Sequence, residues 1–159
     1  MIFLTVGTQF PFDRLVRTMD ELVGKGAITE EVFGQIGDSS YTPRNFKAVA
    51  SLDKQAFDER FSNASAIISH AGMGTIAMAM DQGKPLLAMP RRPKYHEVVN
   101  DHQEAMAVKF AACGYILVAR DETELPEKVK LLKSFVPQTR QADSESVVRR
   151  ISLFLDSLR

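Results

Sequence analysis

Cysteine is almost missing from this chain: of 159 residues only Cys113 is one, so no intrachain disulfide framework is available and the fold must rest on its apolar core. Cys113 stands in an alanine-rich helical stretch, where a free thiol is expected to pack as a small buried hydrophobe; a catalytic thiol is the less favoured reading. Net charge is missing too. Twenty Lys and Arg offset twenty Asp and Glu, so no long-range field gathers a polyanion, which argues against nucleic acid as the partner. There is no long apolar run either: residues 62–80 carry no acid or base, but Asn63, His70 and two glycines break them as a lipid-spanning segment. The chain opens on Met1-Ile2-Phe3-Leu4-Thr5-Val6, a strand-like run without a basic leader or cleavage site, so the expectation is a cytoplasmic protein whose membrane association is borrowed from a partner.

What is present is a regular alternation of short apolar runs and amphipathic stretches, the pattern of a parallel sheet covered by helices on both faces. It predicts a single α/β domain over 1–159, Rossmann-like and doubly wound, with strands near 2–6, 31–36, 46–50, 66–69, 86–89 and 115–118. Helices are expected near 12–24, 53–63, 74–82, 97–112, 123–134 and 144–157. The last of these carries Val147, Val148, Ile151, Phe154, Leu155 and Leu158 as one apolar stripe. That stripe is expected to dock on the domain's own sheet or helices, with a surface for another subunit or a second copy as the alternative. In such sheets ligands collect beyond the carboxyl ends of the strands. Those ends are Gly7-Thr8-Gln9, Gly37-Asp38-Ser39-Ser40, His70-Ala71-Gly72 and Pro90-Arg91-Arg92.

The segment Ile67-Ile68-Ser69-His70-Ala71-Gly72-Met73-Gly74-Thr75-Ile76-Ala77 runs from a strand through two glycines into a helix. Glycine lets the backbone turn and approach a ligand closely, and the first N–H groups of a helix, at the positive end of its dipole, attract an anion. A glycine pair can equally serve only to turn the chain; Thr8, expected beside it if the first and fourth strands are neighbours, favours a phosphate site. His70 is read as a donor to phosphate or as a strand-end cap, and Thr75 as an N-cap or a hydroxyl shared with phosphate. The cations of Pro90-Arg91-Arg92-Pro93-Lys94 are either a solvated loop or a wall of the same crevice, and Asn100, Asp101, His102 and Gln103 follow on the next helix.

Together these residues resemble the C-terminal domain of glycosyltransferase family 28, the MurG-like type with GT-B architecture. The likeness is nearest to its stand-alone form, the catalytic half of two-component UDP-sugar transferases that serve dolichol-linked N-acetylglucosamine or bacterial exopolysaccharide. It runs from Phe3-Leu4-Thr5-Val6-Gly7-Thr8-Gln9 through Ser69-His70-Ala71-Gly72-Met73-Gly74-Thr75 and Gly83-Lys84-Pro85 to Asp101-His102-Gln103. The resemblance implies that Gly7, Thr8, His70, Ala71, Gly72, Met73, Gly74, Thr75, Arg91, His102 and Gln103 hold a UDP-sugar donor, without cofactor or metal. It also implies inversion at the anomeric carbon, a lipid-linked saccharide acceptor, and a membrane-anchored partner subunit that recruits the chain to the cytoplasmic face of the membrane. The general base stays unassigned among Asp13, His96, Glu97 and a group from the partner.

Where the family carries a ribose-binding glutamate this chain has Met78, which shares a helix face with Thr75 and Gln82 and is expected to point toward the nucleotide. A non-catalytic accessory subunit is therefore one alternative. A second is an NADP-binding oxidoreductase, since Gly72-Met73-Gly74-Thr75-Ile76-Ala77 fits the looser dinucleotide fingerprint. Against it, the motif follows the fourth strand rather than the first, and Arg92 occupies the place of the acidic ribose ligand.

Overall fold

The structure, a computed structural model, describes residues 1–98, 102–139 and 144–156. Six parallel strands form one sheet in the order β3-β2-β1-β4-β5-β6. They are β1 (Ile2–Thr5), β2 (Val32–Gln35), β3 (Lys47–Val49), β4 (Ala66–His70), β5 (Leu86–Met89) and β6 (Leu117–Val118). The helices are α1 (Asp13–Gly24), α2 (Lys54–Asn63), α3 (Met73–Asp81), α4 (His102–Ala112), α5 (Leu125–Leu132) and α6 (Ser144–Asp156). This is the doubly wound α/β fold expected from the sequence, with the order reversing between β1 and β4. Glu97 and Val98, placed in the expected helix over 97–112, are not helical, the described helix runs His102–Ala112, and a 3₁₀ turn at Pro93–Tyr95 was not anticipated.

Alternation along the strands explains why the sheet is covered on both faces. Ile2, Leu4 and Val6, Ala66 and Ile68, and Leu87 and Met89 enter one core with Leu15, Val16 and Met19 of α1 and Leu125, Val129 and Leu132 of α5. Phe3, Ile67, Leu86 and Ala88 point the other way, toward Phe61 of α2, Ile76 and Ala79 of α3, and Ala107 of α4. Phe3 meets Phe57 and Phe61 edge-on, at centroid distances of 5.4 and 6.4 Å. The register pairs Thr5 with Ser69 and His70 with Met89, which brings the ends of β1, β4 and β5 to one edge.

Two expectations about packing are corrected. Cys113 is exposed, because α4 stops at Ala112 and the turn through Gly114, at φ +71°, leaves the thiol outside the helix face that meets the sheet. On α6, Val148, Ile151 and Leu155 of the apolar stripe are each more than half exposed, so these three side chains are not buried in the domain's own core.

The long connection from β2 to β3 is held by Asp20 of α1, which is 2% exposed. Its carboxylate accepts hydrogen bonds from Tyr41 Oη at 2.7 Å and from the Arg44 and Asn45 main-chain N–H groups at 2.9 and 2.7 Å. Burial pushes this carboxyl up, but the bonds from Tyr41, Asn45 and Arg44 outweigh it and hold the pKa below the usual value. The stabilisation is therefore complete above the ordinary carboxylate range and is lost as the pH falls through the depressed folded value. Asp20→Ala strands three donors, and urea denaturation at pH 7 should show a loss of about 2–4 kcal/mol that shrinks below pH 4.

Candidate functional site

At the carboxyl edge of β1, β4 and β5 lies an open cleft of about 480 Å³. One wall is the β1–α1 loop, with Gly7, Thr8, Gln9 and Phe10; the floor is His70, Ala71 and Gly72; and Met73, Gly74 and Thr75 of α3 form the opposite wall. Arg91 and Val98, with Gln103 and Met106 of α4, close the far side. The expectation that strands one and four are adjacent is met, so Thr8 and the glycine turn face the same space.

The N-terminus of α3 is built to be left open. Its N-cap is Gly72, in extended conformation, and no side chain caps the first turn. Thr75 is therefore not the N-cap; it lies inside the helix and lines the cleft. The first intrahelical bond runs from Ile76 N–H to the Gly72 carbonyl at 3.1 Å. Among the described residues, the N–H groups of Met73, Gly74 and Thr75 have no protein partner, and they sit at the positive end of the helix dipole.

His70 fixes the glycines on either side of it. A Cβ on Gly72 would lie 2.2 Å from His70 Nε2, and one on Gly7 would lie 2.8 Å from Cε1; Gly7 also sits at φ +74°. The imidazole is thus wedged between the two loops, and a side chain at either glycine would expel it. Its Nδ1 is buried without a hydrogen-bond partner. Burial first, and then the positive Arg91, lower its pKa to about 4 against a weaker pull from the Thr5 main chain, so the ring is neutral at pH 7.

Arg91 is not a solvated loop residue, being 3% exposed. Its guanidinium donates to the carbonyls of Val6 and Phe10, which ties the end of β5 to the β1–α1 loop, and lies 5.3 Å from the Phe12 ring. Its Nε is buried and unpartnered, and no carboxylate forms an ion pair with it among the described residues. Burial lowers its pKa to about 10, with Glu97 opposing, and the group remains a cation. Gln103 Oε1 accepts the Arg91 main-chain N–H at 3.3 Å. A helix terminus with free donors thus stands beside a buried cation that has no ion-pair partner among the described residues, an arrangement whose chemistry suits an anion.

The candidate bases are elsewhere. Asp13 accepts from Ser39 Oγ at 2.6 Å and Ser40 N–H at 3.1 Å; burial raises its pKa, but these bonds and Arg17 outweigh that and keep it below the usual range. Glu97 is gripped by Arg14, at 3.0 Å from Nε and 2.9 Å from Nη2, and also accepts the Arg92 N–H at 3.0 Å. His96 is exposed, in the left-handed region at φ 58°. None of the three lines the cleft. Arg92 pairs with Glu104 at 3.2 Å and is absent from the cleft lining. Met78, expected to point toward a nucleotide, is half-buried against the apolar cluster and is not among the residues lining the cleft. Asn100 and Asp101 lie outside the described residues, as does the side chain of His102, which begins α4. Sequence reasoning missed Phe10, Val98 and Met106; for Met106 the three-residue helical step from Gln103 was a usable signal.

The cleft lies at the switch point of the doubly wound sheet, the place where domains of this fold collect their ligands. The chain belongs to the glycosyltransferase family 28 C-terminal domain family, whose model matches residues 1–154. Over 101 residues it is 34% identical to the UDP-N-acetylglucosamine transferase subunit ALG13 of Cryptococcus neoformans var. neoformans, covering 58% of this chain and 48% of that one. The chain thus spans about half the length of the curated relatives it matches. Its fold is shared with the NMR structure of ALG13, at TM-score 0.59 and 18% identity over 94% of this chain and 93% of that one. It is also shared with Os79 from O. sativa, solved in complex with UDP, at TM-score 0.61 and 16% identity over 94% of this chain and 34% of that one.

Because folded His70 resists protonation, native stability should fall as the pH drops from the ordinary value of 6.5 toward about 4. Gly72→Ala displaces the ring from its seat. An NMR titration of the His70 Cε1 proton should then move from a midpoint of about 4 in the native chain toward 6.5 in the variant. An unchanged midpoint would contradict the wedge.

Proposed function

We propose that this chain is the donor-binding subunit of a two-component inverting glycosyltransferase. A UDP-sugar places its diphosphate at the start of α3, and a membrane-anchored partner presents a lipid-linked or exopolysaccharide acceptor. The observation that carries this reading is the set of free Met73, Gly74 and Thr75 N–H groups facing the same cleft as the unpaired Arg91 cation. As the acceptor oxygen attacks the anomeric carbon, negative charge grows on the departing UDP, and donors already fixed in place stabilise it without reorganising. Removing one such donor costs on the order of 3 kcal/mol of barrier. The name of the fungal relative supports a UDP-sugar donor.

The partner is supported by what the cleft lacks. Of its described lining residues only His70 and Arg91 carry ionisable side chains; the His70 ring, with its pKa lowered to about 4, is a weak base, and Arg91 is a cation. The base that deprotonates the acceptor is then supplied across the cleft by the partner. No helix among the described residues is long and apolar enough to cross a membrane, so in this reading the partner also provides the membrane anchor. The exposed Val148, Ile151 and Leu155 of α6 offer apolar surface for such an assembly.

With UDP at 100 times its dissociation constant, the chain gains about 2.7 kcal/mol and its Tm rises by several degrees, while NADP at the same concentration leaves it unmoved. A rise with NADP and none with UDP contradicts the reading. The isolated chain should transfer little sugar to a lipid-linked acceptor; robust transfer without a partner would remove the second component.

A further inference from the structure

Arg14 lies outside the cleft, on the first turn of α1, yet it is tied to the segment that carries Arg91 at several points. Its Nη2 donates to the Pro90 carbonyl at 3.4 Å, it grips Glu97 through both Nε and Nη2, and its guanidinium stacks 4.6 Å from the Tyr95 ring. Its remaining nitrogen meets Glu122 at 2.7 Å. Arg14 is 12% exposed and the Glu97 side chain 9%, so this pairing works in a poorly screened environment. The first Phe12 ring contact is shared: Arg14 and Arg91 each stand 5.3 Å from its centre.

Glu97 has a second cation within its field. It acts on the charge of Arg91, and its Oε2 is bonded to the main-chain N–H of Arg92, the adjacent residue. Arg91 Nε is buried and has no partner, the vacancy a carboxylate would fill. Arg92 is engaged by Glu104 and Glu122 by Arg14, while Glu97, bonded to the Arg92 main chain, is the acid whose charge acts on Arg91. We propose that Arg14 is a positioning residue that holds Glu97 off Arg91, so that the Arg91 cation stays uncompensated and faces an anionic ligand in the cleft.

This inference rests on the reading that the cleft takes a nucleoside diphosphate. It also explains why a buried cation without a counter-ion is tolerated: its natural counter-ion is held by a neighbour with better, two-toothed geometry. Without Arg14, Glu97 would be a buried acid lacking its cation, and pairing with Arg91 Nε would satisfy both groups and quench the cleft.

The test is calorimetric titration of the whole chain and its variants with UDP and with uridine. Arg14→Gln should weaken UDP by about tenfold and leave uridine unchanged, since only the phosphates sense Arg91. Glu97→Gln should bind UDP at least as tightly as the parent, and Arg14→Gln with Glu97→Gln should recover most of the loss. A role confined to holding the fold predicts the reverse, with Glu97→Gln weaker and the double variant weaker still; either result overturns the proposal. If Arg14→Gln does not fold, Glu97→Gln alone decides. A readout without ligand separates this from the functional reading: the Arg91 Nε–Hε resonance should shift in Arg14→Gln and return in the double variant. Should the parent bind no UDP while that shift appears, the functional reading fails and the charge screen stands; no shift in a folded Arg14→Gln overturns the screen.

Discussion

The structure turns on the contact between one imidazole and two glycines. His70 ends β4 at the point where the sheet reverses direction, and its ring fills the space that a side chain on Gly7 or Gly72 would need. This packing brings the β1–α1 loop and the start of α3 within reach of one ligand. It also explains the lack of a capping side chain on α3: the N-cap position is a glycine because nothing larger fits beside His70. The free donors of α3 are thus a consequence of packing at the sheet edge.

Electrostatics follows from the same arrangement. His70 is kept unprotonated first by its burial and then by Arg91, whose positive charge would repel an imidazolium. Three carboxylates near the edge are committed elsewhere, Asp13 to Ser39 and Ser40, Glu97 to Arg14, Glu104 to Arg92. In the proposed function, the Arg91 cation without an ion pair is what an anionic ligand meets, even though the chain as a whole carries no net charge. Local arrangement, not composition, sets the field that a ligand meets.

Much of this was legible in the sequence. The strands and helices announced themselves because buried parallel strands are continuous apolar runs, and Ile67-Ile68 followed by Gly72 and Gly74 marked the turn. The switch point could be placed because adjacency of the first and fourth strands follows from the doubly wound order. Less visible were features set by tertiary contacts. Met78 shares a helix face with Thr75, but its side chain packs against the apolar cluster. Glu97 looked like a candidate base because local sequence does not show Arg14, 83 residues away, closing on it. Arg91 looked solvated for the same reason, since its partners are the carbonyls of Val6 and Phe10 at the far end of the chain.

The central claim is that a nucleoside diphosphate is held by the open first turn of α3. The most direct measurement is a ¹H–¹⁵N correlation spectrum of the chain titrated with UDP. The account predicts that the amides of Met73, Gly74 and Thr75 shift most, in step with one another and saturably. Saturable binding that leaves those three amides unmoved and perturbs another part of the surface would contradict it.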